Sequence, residues 1–149
     1  MMLGIIHDGL KEHEQAQAQA QAHYEAVLKL NPRFAPAANN LAWILVEHGG
    51  NLDVALSHAQ MAREQQPNDS YIADTLGWIY YKNAYLLARS LLKDAVEKLP
   101  HEPDIHFHYG MAQHKNGDQA GAKKSLQTAL ELSQTFSGSE EARKMLAGL

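Results

Sequence analysis

The side chains that most invite chemistry are nine histidines in a chain of 149 residues, and what they could do is bind a metal. Two ligands on one face of a helix need a spacing of three or four. His106 and His108 are two apart, His108 and His114 six, and His7, His13 and His23 fall at gaps of six and ten. None of these pairs shares a helical face well, so structural or solvated histidines are the expected reading. A cluster completed from different helices stays open as the alternative. The chain contains no cysteine, which excludes disulfides, thiolate zinc sites and cysteine nucleophiles. It also contains no G-x-S-x-G turn, no phosphate-cradling glycine loop and no H-E-x-x-H. Glu140 and Glu141 suit the first turn of a helix, where carboxylates complement the dipole. The residues therefore point away from an enzyme, with no metal and no cofactor expected.

Composition narrows the class further. The net charge is −4 with no clustered basic stripe, which argues against nucleic-acid binding. No apolar run is long enough to span a bilayer, and the start lacks the basic flank and cleavage site of a secretion signal. Cytoplasm and periplasm both remain open. A chain of this length suits one domain, residues 1–149, with a real core.

The elements that must position these side chains are set by a repeat. Pro32, Pro67 and Pro100 are 35 and 33 residues apart, and Gln134 follows 34 later. Before Pro67 stand Leu41-Ala42-x-x-Leu45 and Ala55-x-x-x-Ala59-x-x-Ala62. Before Pro100 stand Leu76-Gly77-x-x-Tyr80 and Ala88-x-x-x-Leu92-x-x-Ala95. Before Gln134 stand Tyr109-Gly110-x-x-Gln113 and Ala122-x-x-x-Leu126-x-x-Ala129. A fainter copy, Leu3-Gly4-x-x-His7 and Ala20-x-x-x-Tyr24-x-x-Val27, precedes Pro32. Spacings of three and four predict amphipathic helices, two per repeat. Gly49-Gly50-Asn51, Lys82-Asn83-Ala84 and Asn116-Gly117-Asp118 carry turn chemistry, and each proline ends a second helix. Asp69 or Ser70 suits an N-cap, Pro103 with Asp104 a first turn, and Ser139 the N-cap of a last helix. Nothing reads as a strand.

This pattern resembles the tetratricopeptide repeat across nearly the whole chain. The resemblance implies an all-α solenoid of helix-turn-helix units, about three and a half repeats, near 1–34, 35–69, 70–102 and 103–136. A capping helix over 139–148 follows. It also implies that first helices line a concave groove for a partner's peptide or helix. Helical spacing along those helices selects Asn39, Trp43, Val46 and Glu47; then Asp74, Trp78, Tyr81 and Lys82; then Phe107, Met111, His114 and Lys115. Tyr71 and His108 flank the row. Exposed aromatics there are expected to anchor a ligand, with inter-helix core as the plainer alternative. Family members that clamp a chaperone's terminal carboxylate place cations on successive first helices. Here those positions hold Asp74, Thr75, Phe107 and His108, so that ligand class is not expected. The phrases Asn39-Asn40-Leu41-Ala42-Trp43, Asp74-Thr75-Leu76-Gly77-Trp78-Ile79-Tyr80-Tyr81 and His108-Tyr109-Gly110-Met111-Ala112 also look like C-terminal repeats of large bacterial proteins. Some of those are linked to exosortase and exopolysaccharide systems. The chain opens inside a repeat, as a piece of a longer protein would.

The first repeat departs from the rest. Its two small residues, Gly4 and Ala20, are 16 apart, whereas the later pairs are 13, 11 and 12 apart. The excess falls in Gln15-Ala16-Gln17-Ala18-Gln19-Ala20-Gln21-Ala22, where removing two Gln-Ala units restores the spacing. Two outcomes are open. A turn at Asp8-Gly9-Leu10 leaves a hairpin whose second helix gains a turn. Loss of that turn makes residues 3–30 one rod of roughly 40 Å. In the second case Leu3, Ile5 and Ile6 leave their own stack, and a domain-swapped or end-to-end homo-oligomer is expected to form through them and the tract Gln15, Ala16, Gln17, Ala18, Gln19 and Ala20. The functional expectation is a protein-binding scaffold, with self-assembly as the alternative.

Overall fold

A computed structural model describes the backbone of residues 2–82 and 88–149, with side chains in the first helix from residue 12 onward. Among the described residues there are eight α-helices and no strand, an all-α tetratricopeptide-like fold. They fall into two compact units, residues 1–66 and 67–149.

The first unit holds α1 (Met2–Leu30), α2 (Ala35–Glu47) and α3 (Leu52–Gln65). Gly49 takes φ +72°, closing the α2–α3 turn, and Asn51 caps α3 by accepting from the amides of Asp53 and Val54 at 2.9 and 3.1 Å. Ala55, Ala59 and Ala62 are fully buried along α3. Of the two outcomes for the first repeat, the rod is the one formed: α1 is a single helix of 29 residues through Asp8-Gly9-Leu10. Glutamine and alanine favour helix, and one mid-helix glycine costs only about 1 kcal/mol relative to alanine. The side chains of Leu3, Ile5 and Ile6 lie outside the described residues. α1 packs on α2, with the Asn40 amide donating to the Tyr24 hydroxyl at 3.2 Å.

The second unit holds α4 (Ser70–Lys82), α5 (Ala88–Lys98), α6 (Pro103–Lys115), α7 (Gln119–Leu132) and α8 (Ser139–Gly148). Asp69 caps α4 through the amides of Tyr71 and Ile72 at 2.9 and 3.0 Å, and Pro103 opens α6. The turn expected at Lys82-Asn83-Ala84 falls largely outside the described residues. Ser139 is the first residue of α8, not its cap; Gly138 holds the cap position. Backbones approach closely where the small residues stand. A Cβ on Gly77 would meet Leu92 at 2.7 Å, and one on Gly110 would meet Leu126 at 2.9 Å. Leu92 and Leu126 are fully buried as a result. α8 packs on α7, burying Ala142, and Phe136 closes on Phe107 with ring centroids 5.8 Å apart.

Candidate functional site

The residues expected to line a groove divide by burial once the helices are packed. In the second unit the repeat period reappears as contact distance. The buried His108 donates from Nδ1 to both oxygens of the Asp74 carboxylate at 2.9 and 3.0 Å, and the Lys115 ammonium donates to the Tyr81 carbonyl at 3.1 Å. Both pairs are 34 residues apart. Because a carboxylate can only accept, the His108 proton sits on Nδ1. Trp78 is stacked between Tyr81, at 4.7 Å, and His108, at 4.1 Å, with Phe107 at 5.6 Å. Its exposure is 2%, and Phe107, His108 and Met111 are buried with it.

This corrects the expectation of exposed aromatic anchors. Asp74, Trp78, Phe107, His108 and Met111 are the packed interior of the α4–α6 contact. The reason lies in the period itself: α4 and α6 meet along the same face that helical spacing assigns to the groove. From that row Tyr71 and Lys82 are exposed, while Tyr81 and His114 are half-buried. Lys82 lies over the Trp78 ring at 4.6 Å and Lys115 over Tyr81 at 4.7 Å, arrangements that favour a cation. The Tyr71 hydroxyl donates to Glu102 at 3.2 Å; this bond, and then the carboxylate's charge, raise its pKa. Burial, and then Glu141, raise that of Tyr81.

In the first unit Asn39, Trp43 and Glu47 are all half-buried on α2. The Asn39 side-chain oxygen is buried and has no hydrogen-bond partner among the described residues, as is also true of His114 Nδ1. Of the other histidines at issue, His106 donates from Nε2 to the Pro100 carbonyl at 2.9 Å. Among the described residues no group of three His, Asp or Glu is placed to hold a metal.

One feature escaped the sequence reading. A cleft of about 520 Å³ opens between α1, α2 and α3, lined by Leu28, Leu41, Leu45, Val54 and His58 among others. At the same register in the second unit stand Tyr109, Gln113, Gly121 and Ser125. There Ser125 donates to Gln113 at 2.7 Å, and Arg89 pairs with Asp118 at 3.5 Å. In the first unit Gln21 turns to Glu25 instead, at 2.9 Å, and Asn51 is taken up by its cap. No spacing within one helix marks it, because its lining comes from three helices.

The tetratricopeptide repeat family pattern matches residues 3–79, and a second pattern of that description matches residues 103–136. No protein of curated function matches. Among solved structures, the chain resembles TTC0263, a thermophilic TPR protein of Thermus thermophilus. The two are 26% identical over 99% of this chain and 78% of that one, with a TM-score of 0.70. It is similar in fold to MamA, at 15% identity over 92% of this chain and 88% of that one, TM-score 0.66. A mutant of MamA aligns at 23% identity over 91% and 77%, TM-score 0.69. The pattern match spans half of the sequence, and the helices meet at the repeat's own period; the chain belongs to the tetratricopeptide repeat family.

Proposed function

We propose that this chain is a non-catalytic scaffold that holds a peptide or helix of a partner protein against its first helices. The observation that carries the reading is Asn39. A buried amide oxygen left unbonded costs free energy, on the order of 1–3 kcal/mol, unless a ligand supplies a donor. A main-chain N–H of a bound segment is such a donor once the half-buried Asn39 side chain turns outward, and Trp43, half-buried one turn further on, offers apolar area beside it. In the second unit Tyr71, Tyr81, Lys82 and His114 remain the reachable part of the expected row, and Lys82 with the exposed Lys115 favours acidic side chains. Asp74, Trp78, Phe107, His108 and Met111 support the row from beneath. No cofactor enters this reading. The phrase from Asp74 to Tyr81 supports a kinship with bacterial exosortase-associated repeat proteins.

The test is a peptide selected by display against the wild-type chain. Asn39→Ala is expected to weaken it about tenfold, the effect of one lost hydrogen bond to a buried group. Equal affinity for wild type, Asn39→Ala and Trp43→Ala would remove the α2 row from the account.

A second reading, self-assembly through Leu3, Ile5, Ile6 and Gln15–Ala20, is favoured by one observation. The helix α1 runs unbroken from Met2 to Leu30, so its N-terminal half does not fold back onto its C-terminal half.

A further inference from the structure

The cleft among α1, α2 and α3 stands where the second unit has a polar brace. The small residues of the repeat align Ala20 with Ala88, Ala42 with Gly110 and Ala55 with Ala122. On that register Gln21, Leu45, Asn51 and His58 correspond to Arg89, Gln113, Asp118 and Ser125. In the second unit those four side chains cross the gap between α5 and α7. Arg89 pairs with Asp118 at 3.5 Å, Gln113 donates to Asp118 at 3.4 Å, and Ser125 donates to Gln113 at 2.7 Å. Gly121 leaves them room, because a Cβ there would collide with the Gln113 amide. In the first unit Leu45 replaces the glutamine and Val54 replaces that glycine. Gln21 donates to Glu25 on its own helix, and Asn51 serves α3 as its cap. The brace is gone, and an apolar cleft of about 520 Å³ takes its place.

That cleft is one part of a longer trough. A second hollow of about 240 Å³ shares Gln21 and Leu45 with it and continues to Glu14 and His48. One wall is α1, whose Glu14, Gln17, Gln21, Glu25 and Leu28 are spaced by three and four. They form a single helical face that runs about 22 Å as far as Lys29. Val54 and His58 of α3 make the opposite wall, and Leu41 and Leu45 of α2 lie between. Val54 is 44% exposed, and Leu28 and Leu45 are only half-buried, so apolar area faces water. At 100° per residue, Leu41 and Leu45 point to the opposite side of α2 from Asn39 and Trp43. The trough is therefore a separate surface from the Asn39 row.

We propose that this trough receives one amphipathic, basic helix from a partner protein. Its length suits a helix of about fifteen residues lying along α1, with an apolar face turned into the cleft. Leucine-like side chains at spacings of three and four then cover Leu28, Leu45 and Val54, where buried apolar area supplies the affinity. Charge fixes the rest of the partner's sequence. The lining carries two exposed carboxylates, Glu14 and Glu25, which are eleven residues and so about three turns apart on α1. Lys29 stands one turn past Glu25, also exposed. A complementary helix carries two basic residues eleven apart, with an acidic residue four further on to meet Lys29. Such rim charges choose the partner and its register more than they add affinity. The second unit offers no such seat, because Arg89, Asp118, Gln113 and Ser125 already fill the matching gap.

The experiment is a display library of alanine-based helices, about sixteen residues long, with Leu, Lys and Glu randomised at the other positions. It is selected on the full chain and counter-selected on Val54→Asp. Val54 is 44% exposed, so this variant is expected to keep the helix content of the wild type. Enriched peptides are expected to carry Leu at spacings of three and four and two Lys eleven apart. Their dissociation constants are expected to rise at least tenfold on Val54→Asp and on the double variant Glu14→Lys with Glu25→Lys. The double variant keeps the test open should Val54→Asp misfold, and it is expected to prefer the same peptide with its Lys changed to Glu. Asn39→Ala is expected to leave these affinities unchanged, which separates this surface from the α2 row. The proposal is overturned if no enriched peptide depends on Val54, or if the peptides are acidic or indifferent to the double variant. A chain that doubles its own mass through Val54 also overturns it, because the occupant is then a second copy.

Discussion

At the scale of the residue, what distinguishes interior from candidate site is which polar groups have partners, as Asp74 and His108 do, and which lack one, as the Asn39 oxygen does among the described residues. Asp74 and His108 satisfy each other while buried at 6% and 2% exposure. His108→Phe leaves the carboxylate without that donor and is expected to cost about 1–3 kcal/mol, seen as a thermal melt lowered by several degrees. An unchanged melt would mean the pair contributes nothing net. His58 gives a second prediction. Burial in the α1–α3 cleft lowers its pKa below the usual 6.5, with Glu25 opposing. Its folded pKa therefore lies below the unfolded value, and the unfolded chain binds the extra proton first. The stability tied to neutral His58 is full above about pH 7 and is lost as pH falls through 6.5 and on through the folded value. His58→Asn is expected to flatten that part of the stability profile; an identical acid slope in the variant contradicts it. Burial is also where the sequence was least informative. Spacing placed Trp78, Phe107 and Met111 in one row along the first helices, but a single chain does not reveal whether that row meets water or the neighbouring first helix.

At the scale of the element, small residues decide how closely helices pair. Gly77→Val is expected to force Leu92 aside and cost about 1–3 kcal/mol, since added methyl groups in a filled contact strain their neighbours. Gly148→Val is the control, because a Cβ there meets nothing within 4 Å. Equal melts for the two variants would deny the close approach. Much at this scale was legible. The prolines marked the ends of α1, α3 and α5, Asp69 capped α4, and Pro103 opened α6. The exceptions have physical causes. Ser139 lost the cap position to Gly138 by one residue. The course of residues 8–10 was undecided because one glycine in a Gln- and Ala-rich helix changes the balance by only about 1 kcal/mol.

At the scale of the whole molecule, both units are built on one repeat of near-constant period, and in the proposed reading the side chains this sets at regular spacing hold a segment of another protein. The cleft among α1, α2 and α3 went unread because it arises from three helices at once, while periodicity reports one helix at a time. The two tryptophans provide the most direct measurement of the central claim. Trp43 is half-buried beside Asn39, and Trp78 is enclosed by Tyr81, His108 and Phe107. Titrating a display-selected peptide into the 15N-labelled chain, while following the two indole N–H resonances, separates them. The account predicts that the Trp43 signal moves along a saturable curve, that Trp78 stays in place, and that Asn39→Ala shifts the curve about tenfold to higher peptide. A peptide that saturates the chain while leaving Trp43 unmoved would contradict it.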